Sequence, residues 1–201
     1  MADSRVRFVE LSRSGALALQ QCRWENDAIV LALLLEPCED APKENWAVRI
    51  EQPFEERLSG GWVEPFGFAD EHPVLLPWKE DQCDIYFTDN ALSAASLLGI
   101  VAMACSQIVG DWLPASRFLN NGLNLVAGER SPHGLLGRFP RSLASAILSQ
   151  LPQDSIRAVL VNSRPPHYWD GIQFVAYPDD LQVLTFGSSF VVGAGFTFTG
   201  P

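Results

Sequence analysis

The sequence predicts an α+β fold in which a mainly antiparallel sheet packs on a long buried central helix at about residues 90–109. A second amphipathic helix is predicted at about residues 140–151. Three observations carry this prediction: an uncharged run in the middle of the chain, a helical repeat of apolar residues after it, and strand-like alternation towards the C-terminus. Because the turns between those last strands are short, antiparallel pairing is favoured.

The 201 residues are most simply one α+β domain over residues 1–201. A subdivision stays open, with an acidic part rich in strands and loops at residues 1–89 and a part at residues 90–201 that holds two helices and an antiparallel meander. With 47% hydrophobic residues, the chain can fill a substantial core and is not of the disordered class.

Short strands separated by turns are predicted in the first 89 residues. The strand candidates are residues 6–9, 27–36, 46–50 and 83–87. The second candidate is stronger, because it is apolar and is bounded by Asn26, Asp27 and Pro37, which are residue types typical of turns, although its leucine content would also suit a helix. Glycines and prolines over residues 60–77 divide the rest of this region into short pieces.

The run at residues 90–110 is uncharged and long enough to cross a membrane. Asp89 and Asn90 stand where a helix N-cap is expected, and Gly110 stands where a helix commonly ends. Serine, alanine and glycine dilute the run, and its near flanks are acidic rather than rich in Lys or Arg. We therefore expect a helix enclosed by other elements of a domain, and no membrane span.

The second helix is predicted to begin at Pro140, which suits a first helical position, and to end before Pro152. Its apolar stripe consists of Leu143, Ile147, Leu148 and Leu151. Strands are then predicted at residues 156–161, 171–177, 181–186 and 190–198. In the last strand, strict alternation would place one set of apolar residues on a single face, namely Phe190, Val192, Ala194, Phe196 and Phe198. Gly193 and Gly195 inside it indicate close backbone packing.

The net charge of −10 is unevenly distributed. The first 90 residues hold 18 acidic and 8 basic residues, whereas the remaining 111 hold six of each. An acidic surface repels phosphate backbones, so nucleic-acid binding is not expected. Such a surface instead accelerates association with a basic protein partner, although acidity also serves plain solubility.

The four cysteines are widely spaced and show no metal-site pattern, so free thiols, no metal and no cofactor are predicted. The first residues lack the apolar segment of a signal peptide. A cytoplasmic location is the corresponding expectation.

Catalytic candidates are few. Asp70 and His72 would share one face of an extended segment, with Glu64 approaching through the intervening turn, and His167 is a further candidate. Carboxylate and imidazole groups of this kind can perform acid–base chemistry or bind a metal. A metal would need a third ligand that the spacing does not supply, and no nucleophile motif is present.

The segment at residues 164–170 is the preferred interaction loop. It combines two prolines with a charged and aromatic set of side chains, namely Arg164, His167, Tyr168, Trp169 and Asp170. Prolines stiffen the backbone, and aromatic residues beside Arg are typical of recognition surfaces. An ordinary turn whose aromatic rings fold onto the sheet is the alternative.

Three hypotheses about function follow. The first is a non-enzymatic cytoplasmic protein-binding domain whose acidic face binds a basic partner through Glu55, Glu56, Glu64 and Glu71, with an inhibitor or immunity-type protein as its most specific form. The second is a small hydrolase or metal-dependent enzyme with its site around Asp70, His72 and His167. The third is a structural or assembly subunit that uses exposed aromatic residues between Trp62 and Trp78.

Overall fold

The computed structural model describes residues 4–38, 41–121 and 132–201. Backbone contacts divide the chain into two compact units. Unit 1 comprises Met1–Leu75 and Pro178–Pro201, and unit 2 comprises Leu76–Tyr177. The single domain over residues 1–201 stays a prediction.

Among the described residues, strands dominate the architecture, and four α-helices accompany them. The helices are α1 (Ser4–Leu11), α2 (Leu76–Lys79), α3 (Ala94–Ile108) and α4 (Arg141–Gln150). The strands of the first half are β1 (Ala16–Glu25), β2 (Ala28–Glu36), β3 (Glu44–Arg57), β4 (Trp62–Val63), β5 (Phe66–Ala69) and β6 (Gln82–Thr88). Those of the second half are β7 (Gly134–Pro140), β8 (Arg157–Arg164), β9 (His167–Trp169), β10 (Phe174–Ala176), β11 (Gln182–Phe186) and β12 (Ser189–Thr199). Short 3₁₀ turns lie at Pro73–Leu75 and Ala115–Arg117.

Unit 1 is built on a seven-stranded antiparallel sheet with the order β4-β1-β2-β3-β12-β11-β5. Its two edge strands, β4 and β5, are neighbours in sequence, with only Glu64 and Pro65 between them. Three residue steps span at most about 11 Å, so both edges must come together at this connection. The sheet is accordingly curled into a half-barrel.

One side chain of α1 lies at the centre of the buried cluster that the strands of the half-barrel form. Phe8 is fully buried, and its ring lies 5.4 Å from the rings of Trp46 and Phe66 and 4.8 Å from that of Phe198. These three partners come from three different strands, so one helix residue joins distant parts of the sheet. The predicted strand at residues 6–9 is wrong, because four residues are too few to distinguish the two periodicities.

Strand β12 departs from the predicted alternation. The register with β3 shifts between Val192 and Gly193, which is a β-bulge. As a result, Val191 and Phe198 join the same buried cluster, although strict alternation would place them on opposite faces. A Cβ atom at Gly193 would lie 2.5 Å from Ile50 Cγ2, so the predicted close packing at this glycine is confirmed.

Unit 2 contains a three-stranded antiparallel sheet with the order β7-β6-β8 and a separate hairpin of β9 and β10. One face of β6 is buried through Cys83, Ile85 and Phe87. Helix α4 contacts all three strands of this sheet, and α3 contacts α4. Helix α4 occupies the region predicted at about 140–151, and its buried residues are Leu143, Ala144 and Ile147.

The predicted long central helix at about 90–109 is wrong. Helix α3 has 15 residues, and Ser93 caps its N-terminus by accepting a hydrogen bond from the Ser96 backbone N–H at 3.1 Å. Only one stripe is buried, consisting of Leu97, Val101, Ala104 and Cys105, while Met103 on another face is exposed. Serine, glycine and alanine make the remaining face compatible with water, so the helix needs no enclosure.

The seven-stranded sheet therefore packs around its own interior instead of on a helix of 20 residues. An α-helix of 15 residues is about 22 Å long, less than the roughly 30 Å of a bilayer's hydrocarbon core. Within the part of the chain that the structure describes, no helix is both long and apolar enough to cross a membrane.

We predict that Phe8→Ala strongly destabilises unit 1, because it empties the interior of the half-barrel. Truncation of a fully buried phenylalanine costs about 3–5 kcal/mol of the free energy of unfolding. Urea unfolding, followed by tryptophan fluorescence, measures this loss. The matched control is Val6→Ala on the exposed side of the same helix, which should change little. Equal effects of the two substitutions would contradict this account of the core.

Candidate functional site

The open face of the three-stranded sheet carries a buried carboxylate held by two partners. Asp84 in β6 is only 4% exposed. Its Oδ1 accepts a hydrogen bond from Arg138 Nε at 2.8 Å, and its Oδ2 accepts one from Asn162 Nδ2 at 3.1 Å. The partners come from the neighbouring strands β7 and β8, so this carboxylate ties the three strands together.

The pKa of Asp84 is lowered from its ordinary value of 3.8. The main cause is the hydrogen bond from the Arg138 guanidinium, and burial opposes it by favouring the neutral acid. The Asn162 hydrogen bond and the charge of Arg164 add to the lowering. Asp84 is therefore ionised at neutral pH, and its charge is balanced by Arg138.

A second ion pair joins the beginnings of β6 and α4. Arg141 Nη2 donates to Asp81 Oδ2 at 2.9 Å and to Ser163 Oγ at 2.6 Å. The Ser163 hydroxyl in turn donates to Asp81 Oδ2 at 2.9 Å. Because this group is largely open to solvent, its electrostatic contribution is screened, and we assign it a local structural role.

The β9–β10 hairpin is ordered by a side chain in its turn. Asp170 Oδ1 accepts hydrogen bonds from the backbone N–H groups of Ile172 and Gln173, both at 2.8 Å. These bonds lower the pKa of Asp170, that from Gln173 being the largest cause. Across the strands, the Trp169 and Phe174 rings are in edge contact at 5.3 Å. The turn and the ring pair together hold the end of the hairpin in one conformation.

The end of this hairpin is apolar and exposed. Trp169, Ile172 and Phe174 are 56%, 85% and 73% exposed. We call these three residues the hairpin tip. Single exposed apolar residues are ordinary on protein surfaces, but three within six positions on an ordered hairpin form a patch.

A cleft of about 730 Å³ lies beside the hairpin within unit 2. Residues from β6, β7, the end of β8 and the hairpin region line it, including Gln82, Arg138, Arg164, Phe174 and Tyr177. Pro165 and Pro166 form the wall between β8 and β9. The cleft thus combines two guanidinium groups with aromatic and proline surfaces.

The structure brings the residues predicted in the 164–170 loop together in unit 2, but most of them are not in a loop. His167, Tyr168 and Trp169 form β9, and the His167 ring Nδ1 lies 2.7 Å from the Pro165 carbonyl oxygen. Tyr168 is half-buried against Tyr177, with ring centroids 5.0 Å apart. That these residues bind a partner stays a prediction.

Sequence reasoning missed Arg138, Phe174 and Tyr177 as members of this site. Arg138 lies in a segment for which the sequence predicted no strand, and the structure shows that segment as β7. Gly134 and Gly137, together with the lack of a regular apolar–polar alternation, hide this strand in the sequence.

The proposed catalytic residues lie in different units. Asp70 and His72 belong to unit 1, and His167 belongs to unit 2. His72 is half-buried, which lowers its pKa, and its ring Nδ1 accepts the Val74 backbone N–H at 3.2 Å. His72 is thus a neutral hydrogen-bond acceptor that orders the following turn. Among the described residues, no group of three or more His, Cys, Asp or Glu side chains could hold a metal.

The predicted acidic residues all lie in unit 1. Glu55 and Glu56 are in β3, Glu64 connects β4 with β5, and Glu71 follows β5. Unit 1 contains 16 acidic and 7 basic residues, so it carries nearly all of the net charge of −10. Several of its carboxylates are paired with arginine, as in the contacts of Arg49 with neighbouring glutamates on β1 and β3.

The expectation of an exposed aromatic surface between Trp62 and Trp78 is wrong, because most of the aromatic side chains in this segment are not exposed. Phe66 and Trp78 are buried, and Phe68 packs against the core of unit 1. Trp62 is exposed, and the Lys43 ammonium lies 4.4 Å from its ring centroid.

Comparison with known proteins found no match: no family model, no curated protein and no solved structure is similar to the chain.

We predict that Asp84→Asn lowers the free energy of unfolding by about 1–3 kcal/mol at neutral pH, since it removes the charge that Arg138 binds. A carboxylate with a lowered native pKa stabilises the fold above its unfolded pKa, here near 3.8, and this contribution is lost as the pH falls through the lower native pKa. The difference between the two proteins should therefore shrink in acid. Chemical denaturation at neutral pH and at acidic pH measures it.

The matched control is Asp81→Asn, which makes the same change in the more exposed ion pair at the start of β6. We expect a smaller loss from this substitution because solvent screens the pair. A larger loss in Asp81→Asn than in Asp84→Asn would overturn the assignment of Asp84 as the anchor of the sheet.

Proposed function

We propose that this chain is a protein-binding domain whose contact element is the β9–β10 hairpin. The observation that carries the proposal is the hairpin tip, where Trp169, Ile172 and Phe174 expose apolar surface from an ordered turn. Tryptophan and other large aromatic residues supply much of the binding energy at protein interfaces, because they bury a large area at a small loss of conformational entropy.

The construction of the hairpin supports this role. A two-stranded hairpin has marginal stability by itself, and this one is held by the Asp170 turn, the Trp169–Phe174 ring pair and the contact of Tyr168 with Tyr177. A contact surface that is already ordered loses less entropy on binding. These contacts fix the tip while leaving it accessible.

The charge of the chain favours a basic partner. A net charge of −10 produces a negative long-range field, which accelerates encounter with a positively charged protein. Glu55, Glu56, Glu64 and Glu71 are part of that field. An inhibitor or immunity-type protein that blocks a basic enzyme is the most specific form of this proposal.

We predict that Trp169→Ser weakens binding of the natural partner by about 10-fold or more, as expected for an interface hot spot. The immobilised chain is incubated with an extract of the source cells, retained proteins are identified by mass spectrometry, and the purified partner is titrated against each variant. Trp24→Ser is the matched control, since Trp24 in β1 is exposed to a similar degree, at 57%.

Three results would contradict the proposal. The first is equal partner affinity for Trp169→Ser and the unaltered chain. The second is equal weakening by Trp24→Ser, which would show that loss of any exposed tryptophan suffices. The third is an acidic partner, or a partner whose association rate does not fall as salt increases. Either finding would contradict the proposed role of the net negative charge in the encounter.

A further inference from the structure

The cleft of unit 2 concentrates positive charge in a chain that is otherwise acidic. Arg138 and Arg164 both line it, and among its described lining residues there is no Asp or Glu. The nearest counter-charge is Asp84, whose oxygens are already engaged by Arg138 and Asn162. The cleft therefore carries an excess of guanidinium charge.

The two arginines differ in how they are held. Arg138 is fixed by two contacts to Asp84, from Nε at 2.8 Å and from Nη2 at 3.4 Å, while its side chain remains 62% exposed. Arg164 ends β8, and within the described residues its guanidinium makes no hydrogen bond or ion pair, although its charge acts on Asp84. One guanidinium is thus positioned in advance, and the other is available to a ligand.

Most of the remaining lining is proline or aromatic, and Gln82 and His167 are its other polar members. Phe174 and Tyr177 contribute rings, and Tyr177 is supported by Tyr168 at 5.0 Å. Pro165 and Pro166 restrict the backbone of the adjacent wall. A volume of about 730 Å³ with a few polar groups in a mostly apolar lining is characteristic of small-molecule sites.

We propose that this cleft binds a small aromatic anion. Its carboxylate or phosphate group is held by Arg138 and Arg164, since guanidinium groups match the geometry of both oxyanions. Its ring lies against Phe174 and Tyr177. This activity goes beyond the protein-binding proposal: it depends on the two arginines, which are not part of the hairpin tip, and shares only Phe174 with it.

The acidity of unit 1 does not prevent this binding. At physiological ionic strength the Debye length is about 8 Å, so charges in contact with the ligand outweigh more distant exposed carboxylates. A guanidinium in direct contact therefore determines whether the cleft prefers an anionic ligand, while the net charge of the chain acts mainly on the rate of encounter.

The test uses three probes of similar shape: 1-naphthoate, 1-naphthyl phosphate and the neutral 1-naphthalenemethanol. Each is titrated into the full chain by isothermal calorimetry. We expect at least one anion to bind about 10-fold or more tightly than the alcohol, as one charge-assisted contact predicts. Preference for the phosphate or for the carboxylate then identifies the class of natural ligand. Equal affinity for all three probes, or no binding of either anion, would overturn the proposal.

The decisive variant is Arg164→Gln, with Arg157→Gln at the other end of β8 as its matched control. Arg164→Gln should weaken the anions about 10-fold and leave the alcohol unchanged, whereas Arg157→Gln should leave all three affinities unchanged. Equal weakening by both variants would show a general charge effect and overturn the site. Both positions are exposed, so near-ultraviolet circular dichroism should confirm an unchanged fold.

The two proposals fail separately. Ile172→Ser should weaken partner binding but leave naphthoate or naphthyl phosphate affinity unchanged, because the Ile172 side chain is 85% exposed and does not line the cleft. Loss of anion binding in Ile172→Ser would contradict the cleft as an independent site. If no partner is captured while anion binding is retained, only the protein-binding proposal is contradicted.

Discussion

The connection between β4 and β5 is the constraint on which unit 1 depends. These strands lie on opposite edges of the same sheet, yet Glu64 and Pro65 are all that separates them. A flat sheet of seven strands would hold its edges about 28 Å apart, several times the reach of that connection. The sheet must therefore curl, and a curled sheet encloses an interior that has to be filled. Phe8 fills it, which explains why a short helix with one buried residue is retained at the start of the chain.

Local sequence patterns predicted those elements whose burial can be inferred from the residue itself and its near neighbours in sequence. Strand β2 and helix α4 follow directly from apolar composition, spacing and flanking prolines. The curl was not predictable in this way, because it depends on pairing between β3 and β12, which are more than 130 residues apart in sequence. The same holds for α3, whose extent of burial depends on how many neighbours cover it. A run without charge shows that burial is permitted, and does not show that it occurs.

The candidate site also combines residues that local sequence predicted with residues that only strand pairing brings together. Composition alone pointed to residues 164–170, since Arg, aromatic residues and proline are adjacent in sequence there. Arg138 could not be found by that route, because its partner Asp84 is 54 positions away and its strand is rich in glycine. The buried carboxylate that fixes one of the two cleft arginines is thus a product of strand pairing. Conversely, Asp70 and His72 looked catalytic because they are close in sequence, whereas the structure gives His72 a local turn-forming contact.

Opposite charges in one chain can serve two ligands because they act over different distances. The excess of carboxylates in unit 1 produces a field that reaches a partner before contact, and it favours large basic molecules. The guanidinium groups of the cleft act within a few ångströms, after water and ions have screened the rest of the surface. A small anion in the cleft would meet mainly the two arginines. We therefore expect the charge distribution to discriminate by ligand size as well as by sign, with a compact anion bound and a nucleic acid repelled.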